Sequence, residues 1–204
     1  MIKIENVIKL NKNHINRVGE VLGRALAEDP VSLQAFPEKN ERHENIKYVF
    51  RMASCIGMRY GEIYASSEKL EGIAIWIHSQ GNFKKRWGNL ICAIKAKVWN
   101  MGFQASRLIN PIMEYNKEMH NKHAPGKHLY LQTLGVDPKH QYRGIGSVLV
   151  NHMIEKNREN ALPIYLETST ERNVGFYKRL GFKVIDEGIV PETAVKQWYL
   201  LKEY

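Results

Sequence analysis

The segment Gln141-Tyr142-Arg143-Gly144-Ile145-Gly146 has the residue types that a phosphate group needs. It follows an apolar, strand-like run and opens a helical pattern. The first turn of a helix has N–H groups without intrahelical partners and a partial positive charge. Glycine lets that backbone approach an anion closely, because no Cβ stands in the way. Arg143 adds a charged donor, and the amides from Gln141 to Ser147 are the candidate cradle. Two other phosphate motifs fail on the residues. A P-loop requires Lys and Ser/Thr after its last glycine, whereas Gly146 is followed by Ser147-Val148. A dinucleotide fingerprint requires a third glycine where Leu149 stands. A plain glycine turn capping a structural helix has the same residue types, so the hexapeptide alone admits both readings.

His120, His123 and His128 precede the run from Leu129 to Val136. His120-x-x-His123 has the spacing of a metal pair, but no cysteine and no evident third and fourth ligands accompany it, so no metal is expected. A histidine base among the three is compatible with the pattern. Cys55 and Cys92 lie far apart, without the His/Asp signature of a covalent nucleophile. The reading is unpaired thiols in a reducing cytoplasm.

Periodicity supplies the elements that would position these groups. Ile2 to Val7 alternates like a half-buried strand. Ile15, Val18, Leu22, Ala25 and Leu26 share one helical face, and Asp29-Pro30 is expected to end that helix. A second helix fits Ile46, Val49, Phe50, Ala53 and Ile56, followed by strands near 62–65 and 72–78. Trp87, Ile91, Ile94, Val98 and Met101 keep helical spacing, as do Ile109, Ile112, Met113 and Met119, until Ala124-Pro125-Gly126 breaks the run. The strand 129–136 then leads through Asp137-Pro138 and the glycine loop into a helix from about Arg143 to Asn160. A strand at 164–168, a helix over 171–180 stopped by Gly181, and strands at 182–187 and 196–201 complete the chain. One strand–loop–helix–strand crossover in a mixed order predicts an α/β domain with a mixed sheet.

The 204 residues suit one domain, 1–204. No apolar run reaches the roughly 20 residues that span a bilayer, and the N-terminus lacks the apolar core of a signal peptide. Of the net charge of +9, the stretch 81–127 contributes +7, from nine Lys or Arg against Glu114 and Glu118. A solvated helical face, a nucleic-acid surface and a docking face for anionic lipid all fit such a segment. No helix-turn-helix, zinc or RNA-binding aromatic motif accompanies it, so no nucleic-acid partner is expected.

Four motifs in order resemble the GCN5-related N-acetyltransferase (GNAT) superfamily: Leu134-Gly135-Val136-Asp137-Pro138, Gln141-x-x-Gly144-x-Gly146, Leu166-Glu167-Thr168-Ser169, and Asn173-x-x-Phe176-Tyr177-x-x-Leu180-Gly181-Phe182. The strong part spans Leu129 to about Asp186. Weaker likeness covers Ala27 to Pro30, Gly72 to Trp76, Val190 to Glu192 and Trp198. Among its branches the chain looks most like the one containing puromycin N-acetyltransferase, with the long basic helical segment as a departure.

The resemblance implies an α/β (α+β) fold with a mixed, mostly antiparallel sheet, a splayed pair of parallel strands and flanking helices. It also implies acetyl-CoA as co-substrate and an amine acceptor. The pantetheine arm would pair with the exposed backbone of Leu134, Gly135 and Val136. The pyrophosphate would sit on Gln141, Tyr142, Arg143, Gly144, Ile145, Gly146 and Ser147, with Asn173 beside the arm. A donor N–H near Val136 would stabilise an oxyanion. Tyr177 is the candidate general acid toward the departing thiolate, or else a core aromatic beside Phe176. Glu167 would accept the amine's proton, or hydrogen-bond backbone and hold the splay. A small-molecule amine, a protein amino group and a non-catalytic acyl-CoA-binding regulatory domain remain the readings for the acceptor side.

Overall fold

The computed structural model describes residues 7–79 and 86–204. The strand expected over 2–7 lies outside them but for Val7, as does the start of the basic segment, 81–85. Among the described residues seven strands form one sheet: β1 (Ile8–Lys9), β2 (Gly61–Ala65), β3 (Gly72–His78), β4 (Leu129–Val136), β5 (Ile164–Thr168), β6 (Lys183–Ile189) and β7 (Lys196–Lys202). Their spatial order is β1-β2-β3-β4-β5-β7-β6. Every neighbouring pair is antiparallel except β4 and β5, which run parallel.

Helices cover both faces. On one face lie α1 (Ile15–Ala25), α2 (Pro30–Ala35), α3 (Lys39–Tyr60), α4 (Arg86–Ala96) and α5 (Phe103–His123). On the other lie α6 (Ile145–Lys156) and α7 (Glu171–Arg179). The period of two along β3 sorts the cores: Ala74 and Trp76 join Leu149, Met153 and Tyr177, while Ile73, Ile75 and Ile77 join Val18, Leu22 and Ile56. The strands buried on both faces read as continuous apolar runs, as Ile73-Ala74-Ile75-Trp76-Ile77 does.

The expected strands between 62 and 201 all form, with bounds shifted by a residue or two. Two readings need correction. Asp29-Pro30 does not merely end α1; it starts α2. The Asp29 side chain accepts from the Val31 N–H, and Pro30 occupies a first-turn position where its missing N–H costs nothing. The helix expected over 143–160 is confined to Ile145–Lys156, because Asn157 turns its side chain to donate to the Leu162 carbonyl at 2.7 Å.

Cys55 and Cys92, expected as unpaired thiols, are joined in a disulfide. The packing of α4 on α3 brings their Cα atoms to 5.4 Å, a juxtaposition that no local pattern announces. The cysteines therefore no longer support the expectation of a reducing cytoplasm.

The basic segment between β3 and β4 folds as α4 and α5. α5 lies across β5 and β7, where Met119 and Ala124 pack on Tyr165 and Tyr199. Its C-terminal turn is tied to β6 by Asp186, which accepts from Lys122 at 3.0 Å and meets His123 at 2.8 Å. No described helix is long and apolar enough to cross a membrane.

Candidate active site

β4 and β5 pair only at Leu129↔Ile164 and Tyr130↔Tyr165. Beyond that point β4 keeps its ladder with β3 as far as Val136, interrupted by an extra residue at Gln132. Half the backbone groups of an antiparallel strand face away from its one partner. Those of the outer half of β4 therefore open toward β5 with no strand to meet them. This is the splay expected for Leu134, Gly135 and Val136. Gly135 also has a packing role: a Cβ there would lie 2.6 Å from Leu22 Cδ2, so its absence lets α1 close on β4.

The strand ends in a braced corner. Arg24 of α1 donates twice to Asp137, at 3.0 and 2.7 Å, and holds its carboxyl below the usual range despite burial. Gln141 donates to the Val136 carbonyl at 3.1 Å, which fixes the following loop to the splayed strand. In that loop Tyr142 and Gly144 both adopt left-handed backbone, with φ of 62° and 80°. Alternation of this kind turns successive N–H groups into one concavity. Gly144 is the N-cap of α6 and offers no side-chain cap, so the amides of Ile145, Gly146 and Ser147 are available to an anion. A Cβ at Gly144 would meet nothing within 4 Å; the space above it is open. Ile145 points its side chain into the core, so only its backbone belongs to the cradle. Tyr142 is 88% exposed and accepts from Arg172 of α7 at 2.9 Å. Arg143 is exposed at the cradle's edge.

Asn173, in the first turn of α7, donates to Thr168 at the end of β5 at 3.1 Å. It ties α7 to the mouth of the splay. One turn on, Tyr177 is 7% exposed and packed edge-on against Phe176 and Phe182, with ring centroids 4.9 and 5.7 Å away. Burial, with a smaller contribution from the Asp29 carboxylate, pushes its phenol up, so it keeps its proton throughout the neutral range. Asp29 is itself raised, by its own burial against the bonds it accepts from the Val31 amide and Ser169. Sequence reasoning did not pick Asp29 as a site residue; a carboxylate before proline signals only a helix cap.

Glu167 stands on the opposite face of β5 from Leu166 and Tyr177, under α5. Its side chain is 8% exposed. Burial pushes its carboxyl up to about 7, against the opposing effect of the Tyr130 and Tyr165 hydroxyls that face it. The Tyr165 hydroxyl has no partner at hydrogen-bond geometry, and the side-chain Oε1 of Gln132 is also buried without one. His120 Nδ1 lies 3.8 Å from Glu167 Oε1, and His120 Nε2 lies 2.7 Å from His128 Nε2. The motif His120-x-x-His123 is thus divided: His120 meets His128 and Glu167, His123 meets Asp186. Among the described residues no group of three or more His, Cys, Asp or Glu side chains is arranged to hold a metal ion.

An unpaired strand edge thus precedes the uncapped start of α6, with the buried Tyr177 phenol on one face of the sheet and the buried Glu167 carboxyl on the other. Residues 111–184 match the family model of the acetyltransferase (GNAT) domain. The fold is the GNAT fold. That match runs from α5 through β4, α6, β5 and α7 into β6, and so contains the splay, the cradle, Glu167 and Tyr177. The whole chain is similar to solved acetyltransferase structures. One, from Corynebacterium glutamicum, is described as histone acetyltransferase HPA2 and related acetyltransferase; it is 20% identical over 97% of this chain and 95% of its own, with a TM-score of 0.66. Arylalkylamine N-acetyltransferase 2 of Aedes aegypti is 12% identical, covering 97% of this chain and 98% of its own, TM-score 0.58. The polyamine N-acetyltransferase of Drosophila melanogaster is 12% identical over 98% and 99%, TM-score 0.56.

Proposed function

We propose that this protein is an acetyltransferase that moves the acetyl group of acetyl-CoA directly onto an amine within a ternary complex. The observation that carries the reading is the parting of β4 from β5 after Tyr130 and Tyr165, beside the uncapped start of α6. It leaves an extended backbone edge for an amide-bearing arm and, one loop away, a concave set of N–H groups for its pyrophosphate. The roles are assigned as follows. Leu134, Gly135 and Val136 pair with the pantetheine arm. The amides from Gln141 to Ser147 hold the pyrophosphate. Asn173 orders the mouth between them. Glu167, poised near neutrality, takes the proton that the ammonium must lose before it can attack. Tyr177, protonated at neutral pH, donates to the thiolate as it leaves. No covalent enzyme intermediate is involved.

The acceptor is proposed to be a small-molecule amine bound under α5, and the chain to act as one unit from residue 1 to 204. The similarity to arylalkylamine and polyamine acetyltransferases favours small amines. The sequence motifs resemble those of the puromycin N-acetyltransferase-like branch, and aminonucleosides join the panel for that reason. A protein amino group is the second reading, favoured by the ribosomal-protein-S18-alanine N-acetyltransferase from Escherichia coli, TM-score 0.53, among the similar structures.

The test is thiol release from acetyl-CoA across aminonucleosides, arylalkylamines, polyamines, amino acids and short peptides. Release stimulated by one class establishes transfer and names the acceptor. A rise in melting temperature with acetyl-CoA, without release for any class, would make the chain an acyl-CoA-binding domain instead.

A further inference from the structure

The arrangement above Glu167 fixes where the hydrogens sit. His128 Nδ1 is 2.8 Å from the Gly126 carbonyl oxygen, which can only accept, so His128 bears its hydrogen on Nδ1. Burial keeps His128 neutral, and its Nε2 therefore presents a lone pair. His120 Nε2 lies 2.7 Å from that lone pair and must be the donor. His120 is neutral as well, lowered to about 4 by burial and by His128, so its Nδ1 has no hydrogen. That bare nitrogen faces Glu167 Oε1 at 3.8 Å. An ionised carboxylate and an unprotonated nitrogen are both acceptors, so nothing draws them to hydrogen-bond length. One proton on Glu167 converts the same contact into an O–H···N bond.

We propose that Glu167 and His120 form a dyad built to hold one proton, with His120 as the positioning residue and His128 setting its tautomer. The proposal rests on reading Glu167 as the base. When the acceptor ammonium gives up its proton, an N–H bond breaks, the electron pair stays on the amine nitrogen and an O–H bond forms on Glu167. The new O–H turns to His120 Nδ1. His120 accepts only the hydrogen bond and keeps its own hydrogen on Nε2 toward His128. The dyad resets when Glu167 releases the proton to solvent.

The other groups around the pair do not take over this role. Tyr130 from β4, Tyr165 from β5 and Tyr199 from β7 have phenols pushed up by burial and stay neutral. The rings of Tyr130 and Tyr165 each stand 4.6 Å from that of His120 and wall it in. Asp186 from β6 is held low by Lys122 and His123 and stays charged. His123 is turned to Asp186 rather than to Glu167.

The test is NMR on the ligand-free chain, with ¹⁵N-labelled histidine and ¹³C-labelled glutamate carboxyls. At neutral pH His120 is expected to carry its hydrogen on Nε2 and His128 on Nδ1. Removing the acceptor, in His120→Leu, is expected to lower the Glu167 midpoint by about one pH unit, because a bond to the neutral form is lost. His128→Leu frees His120 to present Nδ1–H to the carboxylate and is expected to move the midpoint the same way. His120→Gln, whose side-chain carbonyl can accept, recovers part of the shift and serves if the leucine variant does not fold. A hydrogen on Nδ1 of His120 in the unmodified chain, or an unmoved Glu167 midpoint in a folded variant, would overturn the dyad. These readouts need no substrate. Correct tautomers without transfer to any amine would leave the dyad standing and remove the acetyl-transfer reading; transfer with the wrong tautomers would do the reverse.

Discussion

Tyr130 and Tyr165 face each other as the last pair in the parallel β4–β5 ladder, and beyond them the strands separate. The same two side chains close on Glu167. The residues that end the sheet pairing therefore also shape the environment of the proposed base, so the parting of the strands and the burial of Glu167 have one structural origin.

Tyr177→Phe should lower turnover by at least about a hundredfold, the low side of what a positioned acid contributes, with acetyl-CoA affinity little changed. The ring keeps its packing against Phe176 and Phe182, so only the hydroxyl is tested. Steady-state kinetics with calorimetric binding of acetyl-CoA separates the effects. Equal losses in both would make the residue structural.

Gly144→Val should abolish acetyl-CoA binding. Its φ of 80° disfavours any branched side chain, and the Cβ would project into the open space above the cradle. A stability cost of about 1–3 kcal/mol accompanies the strain. Gly126→Ala, where a Cβ also meets nothing within 4 Å but φ is not positive, is the control and should bind normally. Unchanged affinity in a folded Gly144→Val would remove the cradle assignment.

Glu167 should set an acid limb near pH 7 in kcat/KM, with activity lost as the carboxyl protonates below it. The stability effect has the opposite sense. A carboxyl raised from 4.5 to about 7 binds more protons folded than unfolded between those values. Its contribution is therefore fully present below pH 4.5 and lost as pH rises through 7. Glu167→Gln should be inactive yet more stable than the unmodified chain well above pH 7, by about 3 kcal/mol, and nearly equal to it below pH 4.5. Thermal melts across that range check the sign.

Reducing the Cys55–Cys92 disulfide, or Cys92→Ser, should lower stability by about 2–4 kcal/mol, since it releases a closed loop between α3 and α4. Acetyl-CoA affinity should hold, because the cradle belongs to β4 and α6. Melting curves with and without reductant, and with acetyl-CoA present, check both.

The run from Leu129 to Lys156 was legible because each element announces itself: an apolar, strand-like run, Asp137-Pro138 at its end, and paired glycines at the helix start. Tyr177 and Asn173 were singled out by motif alone, since a buried tyrosine by itself looks like any core aromatic. What the sequence hid depends on distance in the chain. Cys55 meets Cys92 only because two helices pack. His120 reaches Glu167 only because α5 lies over β5. Asp29-Pro30 misled for a local reason: the same dipeptide ends one helix and caps the next.

The most direct test follows the acetyl group itself. The chain is incubated with acetyl-CoA labelled in the acetyl carbons and with the amine class that stimulates thiol release most, and the amine is examined by mass spectrometry. The account predicts labelled acetyl on the amine nitrogen in a one-to-one ratio with free CoA thiol, at a rate cut at least about a hundredfold in Tyr177→Phe. Tight binding of acetyl-CoA with no label on any amine would contradict it.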